Sequence, residues 1–245
     1  MAMPGGSDGE KRQPFFNIPP VVVALLAVMA VIHFVRVAIL SDVQDYWVRG
    51  NFAFFPALPD GQLPLGEILP VSRAWSFLTY GLLHADWGHL LVNAFWLAAF
   101  GSPLAWRFGP VRFLLFSAAA VIAGALVHLF AYGGEEIPMV GASAAVSAHM
   151  AGAARFLFIG NERARGSYWA PAATLRAVVT DSRTMTFLGV WIAINIAIGV
   201  FGSAGVGEGR IAWEAHLGGF AVGLLMFRVF DPVPWNTSRP GPWNS

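Results

Sequence analysis

Long apolar runs alternate along this chain with polar or proline- and glycine-containing connections. A helix needs roughly 20 mostly apolar residues to cross the hydrocarbon of a bilayer. Six stretches are read as long enough: 20–40, 87–106, 111–132, 143–159, 185–201 and 211–230. The pattern predicts an all-α, polytopic membrane protein, a bundle of six transmembrane helices. The expected organisation is an N-terminal cytoplasmic tail at 1–19, a membrane domain at 20–230 and a cytoplasmic C-terminal tail at 231–245. The connection 41–84 carries Asp42, Asp45, Asp60 and Glu67 but also FAFFPALP and WSFLTYGLL. Such aromatic segments, broken by proline and glycine, predict an extracytoplasmic structure lying at the membrane interface rather than a plain polar loop.

Composition supports the same solvent. Hydrophobic residues make up 56% of the chain and charged residues 12%, about half the charged share of a soluble domain. Lysine and arginine then set the orientation. Lys11 and Arg12 precede the first run, and Arg107 and Arg112 separate the second from the third. Arg155, Arg163, Arg165, Arg176 and Arg183 surround the fourth connection, and Arg228 and Arg239 close the chain. The opposite connections carry the acids of 41–84 and Glu135–Glu136. Because basic loops stay in the cytoplasm, both termini are expected there, in a multi-pass protein of a bacterial cell (inner) membrane. The first run lacks a small-residue cleavage pattern and reads as a retained span. With no cysteine the chain has no disulfide, thiolate metal site or cysteine nucleophile. No basic cluster forms a nucleic-acid footprint, so the expected partners are the bilayer and other membrane proteins.

Polar side chains inside apolar spans are costly, and each is a functional hypothesis. In HADWGHLLVNAF, His89 and Asn93 stand four apart on one helical face, with His84 five positions earlier. Such groups can donate hydrogen bonds to a developing negative charge, or they can simply cap the start of a span. In MVGASAAVSAHMAGAARF, Ser143 opens the fourth run and leads a stripe of small residues at 143, 147, 151 and 154. Alone, Ser143 reads as packing surface. In WEAHLGGFAVGLLMF, His216, Gly219 and Gly223 share one face. Alone, His216 reads as a histidine satisfied by a carbonyl or a water. Taken together the two small-residue stripes can pack closely enough to bring Ser143 and His216 into hydrogen-bond range, as an imidazole base activating a hydroxyl requires. His33, His128 and His149 are read as structural. Glu214, two residues before His216, faces another side of its helix and is not expected to orient that ring.

These motifs resemble those of the rhomboid family of intramembrane serine proteases. The resemblance rests on His84, His89 and Asn93 (H-x4-H-x3-N), on Gly141-Ala142-Ser143-Ala144 for the family's G-x-S-G, and on Ala215, His216, Gly219 and Gly223. It implies a six-helix rhomboid-like bundle without a cofactor or metal. It also implies a serine endopeptidase with Ser143 as nucleophile and His216 as general base and acid, acting as a dyad. His89, Asn93 and the Ser143 backbone N–H would stabilise the oxyanion, with His84 a further candidate donor. Gly141, Ala144, Gly219 and Gly223 would provide close packing. Substrates would be transmembrane segments of other proteins. Among the departures, Ala144 replaces the last motif glycine and is the one near the chemistry, and Ser147 stands where some members have a tyrosine packed on the histidine. Ala144 motivates an alternative, a catalytically inactive relative that binds membrane clients. A histidine-based metal site or transporter is disfavoured because His84 and His89 lack the i, i+4 spacing of a helical metal pair.

Overall fold

The apolar runs fold as helices, and their starts follow local chemistry. The computed structural model describes residues 18–57, 68–69, 71–136, 138–159, 168–169, 171–201 and 212–233, with 198–201 described by backbone. Lys11, Arg12, Asp60, Glu67, Arg163, Arg165 and Arg239, cited above for orientation and loop character, lie outside the described residues, as do most of both tails. Helix α1 (Pro20–Ala38) begins with proline at its first position, where the missing N–H costs nothing. Ser41 caps α2 (Asp42–Phe52) in a reciprocal box with Gln44: each side chain takes a backbone N–H of the other. Helix α3 (Ser72–Thr79) runs into a short 3-10 turn, Tyr80–Leu82. The connection 41–84 is therefore substantially helical. Phe52 stacks on Trp75 at 5.8 Å, whose indole N–H donates to the Asn51 carbonyl over 2.7 Å.

The second apolar run is a broken rod rather than a uniform helix. Helix α4 (Trp87–Trp96) passes through a π-helical turn at Leu97–Gly101 into α5 (Ser102–Phe108). Gly109, at φ +74°, then turns the chain into α6 (Pro110–Tyr132). There follow α7 (Ser143–Leu157), α8 (Leu175–Thr180), α9 (Ser182–Phe201), α10 (Trp213–Leu225) and α11 (Phe227–Phe230). Among the described residues the only β-pairing is an isolated bridge between Phe54 and Met139. The structure is all-helical in that sense. By length and hydropathy, α1 and α6 are the helices that could each cross a membrane.

Polarity is distributed as a lipid solvent demands. Helix α1 turns Val23, Val28, Val31, Phe34 and Val37 outward, and α9 exposes Val190, Ile192, Ile194 and Ile196. The polar side chains of the same runs point inward: His33, His128, His149, Asn195 and Glu214 are buried. At one end of the bundle Arg107 forms a two-bond pair with Asp231 (2.8 and 2.9 Å), and Arg155 donates to the Leu224 carbonyl (2.6 Å). Both guanidinium groups stack over Phe227, so this end is closed by cations that are fully partnered.

The centre is α10, which packs against α6 and α7 through backbone. A β-carbon at Gly218 would stand 2.6 Å from the Ala123 carbonyl, and one at Gly223 would stand 2.4 Å from that of Ala148. Glycine is what allows this approach. The stripe predicted on the fourth run is met in part: Ala151 belongs to it and faces Gly223, while the contacts nearer Ser143 fall one position further along. The residues meeting Gly219 and Gly223 are Ala144, Ala148 and Ala151, not 143, 147 and 154. Ser147 instead turns its hydroxyl back to the Ser143 carbonyl, at 2.7 Å. The phase shift has a simple cause: a helix stripe of small residues is wide enough that either row can face a partner, and the glycine row of α10 selects the one with β-carbons it can clear.

Candidate active site

Three chain segments converge at the end of the bundle opposite the arginines. The first is the turn into α4. Asp86 caps that helix by accepting the His89 N–H at 2.8 Å, which places the helix start between His84 and His89. His84, in the turn itself, is fully buried, and its ring meets that of His89 edge-on at 5.2 Å. Burial lowers the His84 imidazole to about 3, with the neighbouring rings of His89 and His33 adding to the effect, so it is neutral near pH 7. Its carbonyl accepts a 2.8 Å bond from Arg36 at the end of α1, and Arg36 also pairs with Asp45 of α2 at 2.7 Å. One guanidinium thus ties α1, α2 and the His84 turn together.

The second segment is the turn into α7. The Gly141 N–H donates to the Tyr80 carbonyl at 3.0 Å, and Gly141 adopts φ +123°, a conformation that favours glycine. A β-carbon there would lie 2.7 Å from the His89 ring and 3.7 Å from Asn93 Nδ2. The backbone leading to Ser143 is therefore pressed against the predicted oxyanion donors. Asn93 is buried, and one of its amide hydrogens returns to the His89 carbonyl at 3.1 Å. Ser143 is the first residue of α7, where unpaired backbone N–H groups and the helix dipole favour negative charge.

The methyl of Ala144 has a place of its own. A β-carbon on Gly124 of α6 would fall 2.7 Å from Ala144 Cβ. Glycine at 124 therefore clears the room that the methyl fills, while the Ala144 carbonyl faces Gly219 of α10. The departure from G-x-S-G is accommodated toward α6.

The third segment is α10 with α9 beside it. His216 Nδ1 lies 2.5 Å from Asn195 Oδ1, and Asn195 Nδ2 donates to the Trp191 carbonyl at 2.8 Å. One turn away on both helices Trp191 stacks on Phe220, with centroids 4.5 Å apart and planes 10° from parallel. The pairs 191/220 and 195/216 run in opposite directions, so the two helices are antiparallel here. His89 lies within electrostatic range of His216. Among the described residues no hydrogen bond joins Ser143 to His216, a bond the stripe packing was expected to allow. Active-site bonds are often long before substrate binds.

The other buried histidines and Glu214 make contacts away from this site, although both His33 ring nitrogens, His128 Nε2, His149 Nδ1 and Glu214 Oε2 have no hydrogen-bond partner among the described residues. Glu214 pairs with His128 of α6 at 2.5 Å, on a different face from His216, as the spacing of 214 and 216 predicted. His149 Nε2 meets Ser117 Oγ at 2.9 Å and its ring stacks on Phe113, while His33 packs edge-on against Trp87. Asn195 was missed by the sequence reading. Its signal was present, since an asparagine within WIAINIAIGVF is a polar residue in an apolar run, the kind of position read elsewhere as a functional hypothesis.

Comparison with known proteins bears on the same segments. The family model described as the Rhomboid domain matches residues 71–231, which include all three converging segments. RHOMBOID-like protein 2 of Arabidopsis thaliana is 28% identical over 254 aligned residues, covering 95% of this chain and 73% of the plant protein.

Proposed function

The chain belongs to the rhomboid family, and on that premise we propose that it is an intramembrane serine endopeptidase of six transmembrane helices, cleaving transmembrane segments of other proteins. The helices that would span are α1, α4 continued by α5, α6, α7, α9, and α10 continued by α11. Both termini and the arginine-rich end would face the cytoplasm, leaving the His84, Ser143 and His216 end toward the opposite side. The observation that carries the reading is Gly141: its backbone, two residues before Ser143, rests on the His89 ring and beside the Asn93 amide.

In the proposed reaction Ser143 Oγ attacks the scissile carbonyl carbon while its proton passes to His216 Nε2. His89, Asn93 and the Ser143 N–H hold the resulting oxyanion. The carbon–nitrogen bond then breaks, the departing amine taking the proton from His216 and the acyl group remaining on Ser143 as an ester. Water, giving a proton to His216, attacks that ester carbonyl; the carbon–Oγ bond then breaks, His216 returns the proton to Ser143 Oγ, and the carboxylic acid fragment leaves. Each pass consumes one water and requires no cofactor.

The alternative of a client-binding protein without activity rests on Ala144, and the room provided by Gly124 weakens its motive. Labelling with a fluorophosphonate, read by mass spectrometry, tests the nucleophile. The proposal expects modification at Ser143 that His216→Ala abolishes. Absence of labelling in folded wild-type protein would favour the client-binding alternative.

A further inference from the structure

We infer that Asn195 is a positioning residue for His216: it fixes the imidazole as the Nδ1–H tautomer and leaves Nε2 with its lone pair free to take the serine proton. The inference rests on the protease reading and extends it by one residue, on a helix that carries none of the three motifs.

The argument runs through the amide of Asn195. Its two ends differ chemically, since Nδ2 only donates and Oδ1 only accepts. Nδ2 is committed to the Trp191 carbonyl, an acceptor, and this fixes which way the amide points. Oδ1 is then the atom at His216 Nδ1, 2.5 Å away. An acceptor facing a ring nitrogen at that distance requires the nitrogen to carry the proton, so Nδ1 donates. In a neutral imidazole the other nitrogen is then the base.

Both groups are held from outside the contact. Asn195 is buried, and its helix is braced against α10 by the Trp191–Phe220 stack one turn away. Two polar side chains of α10 and α7 each have a partner other than His216. Glu214 bonds to His128, and the Ser147 hydroxyl bonds to the Ser143 carbonyl. Among the described residues, Asn195 is the one hydrogen-bond partner of the His216 ring. The arrangement resembles the base-and-orienter logic of soluble serine hydrolases, with an amide in place of a carboxylate. A neutral orienter avoids placing a second formal charge within the span.

The test uses full-length protein in detergent with a transmembrane substrate, alongside nitrogen NMR of its histidine side chains. Asn195→Leu keeps the volume and removes the acceptor. It should lower kcat about 10²-fold, within the range that general acid–base catalysis contributes, with KM unchanged. His216 should shift from the Nδ1–H toward the Nε2–H tautomer. Asn195→Asp restores an acceptor and should recover kcat to within about tenfold of wild type, taking an orienting carboxylate as precedent. A wild-type His216 found as the Nε2–H tautomer would overturn the inference even if Asn195→Leu failed to fold. So would Asn195→Leu with wild-type kcat, provided Ser143→Ala is inactive in the same assay. A Ser143→Ala protein that cleaves normally would instead remove the protease reading, and the tautomer measurement would still decide the role of Asn195.

Discussion

The α-carbon of Gly219 rests so close to the carbonyl of Ala144 that a β-carbon at 219 would stand 1.9 Å from that oxygen. This contact sets the distance between the helix carrying His216 and the one beginning at Ser143. It is not easily widened locally, because Gly223 makes a comparable backbone contact with Ala148 of α7 one turn on, and Gly218 presses α10 against Ala123 of α6. Gly219→Ala must therefore move the helices apart. Overpacking a rigid interior costs about 1–3 kcal/mol or more, and the atom met here is backbone rather than a yielding side chain. The variant should melt at lower temperature in detergent and lose fluorophosphonate labelling. Gly189→Ala on α9, where a β-carbon meets nothing within 4 Å, serves as the control and should leave both unchanged.

Gly141→Ala tests the turn rather than the helix contact. Its φ of +123° is strained for alanine, a cost of about 1–3 kcal/mol, and its methyl would press on the His89 ring. Activity should fall by more than stability alone explains. Comparing kcat with the melting temperature separates the two effects.

Asn93→Ala removes a buried amide beside the Gly141 backbone. As an oxyanion donor acts chiefly in the transition state, kcat should fall about 10²–10³-fold while KM stays close to wild type. An equal loss in Asn93→Asp would fit, since a carboxylate has no hydrogen to donate.

These sites differ in how far the sequence revealed them. The apolar runs located the long helices, because lipid-facing surface must be continuous whatever the fold. The start of α4 was legible from the apolar run read from 87 onward, which is where the Asp86 cap begins the helix. The π-helical turn at 97–101 was not legible, because LAAFG reads like any other apolar segment. Of the row predicted on α7, Ala151 faces α10, but the contacts nearer Ser143 fall at 144 and 148 rather than 143 and 147, since in SAAVSAHMAGAA either row is small enough to pack. The fit of Ala144 was hidden for another reason: its room comes from Gly124, twenty residues earlier, and only the fold joins them. Asn195 was legible as a polar residue in an apolar run, but not as a partner of His216.

Arg36 joins α1, α2 and the His84 turn through its bonds to Asp45 and the His84 carbonyl. Its side chain is 6% exposed. Removing one member of a largely buried ion pair costs about 3–5 kcal/mol, somewhat less here because Asp45 remains partly solvated and keeps Arg49 as a neighbour. Arg36→Met should lower the melting temperature, and it should reduce kcat by loosening the turn that carries His84 and His89.

His84 gives the fold an acid sensitivity of defined sign. Its imidazole is lowered to about 3 by burial, so between there and the ordinary value of 6.5 the unfolded chain binds a proton that the folded chain does not. Stability from this residue is complete above pH 6.5 and declines as the pH falls toward 3. His84→Gln should therefore show a smaller drop in melting temperature between pH 7 and pH 5 than wild type, measured by thermal unfolding in detergent.

The central claim is that Ser143 cuts peptide bonds within the bundle. It is tested most directly by incubating purified wild type and Ser143→Ala in detergent with a labelled transmembrane substrate and following product by gel and mass spectrometry. Wild type should yield two fragments separated by one hydrolysed bond in or near the transmembrane segment, and Ser143→Ala, equally folded, should yield none. Cleavage by Ser143→Ala at the wild-type rate would contradict the account.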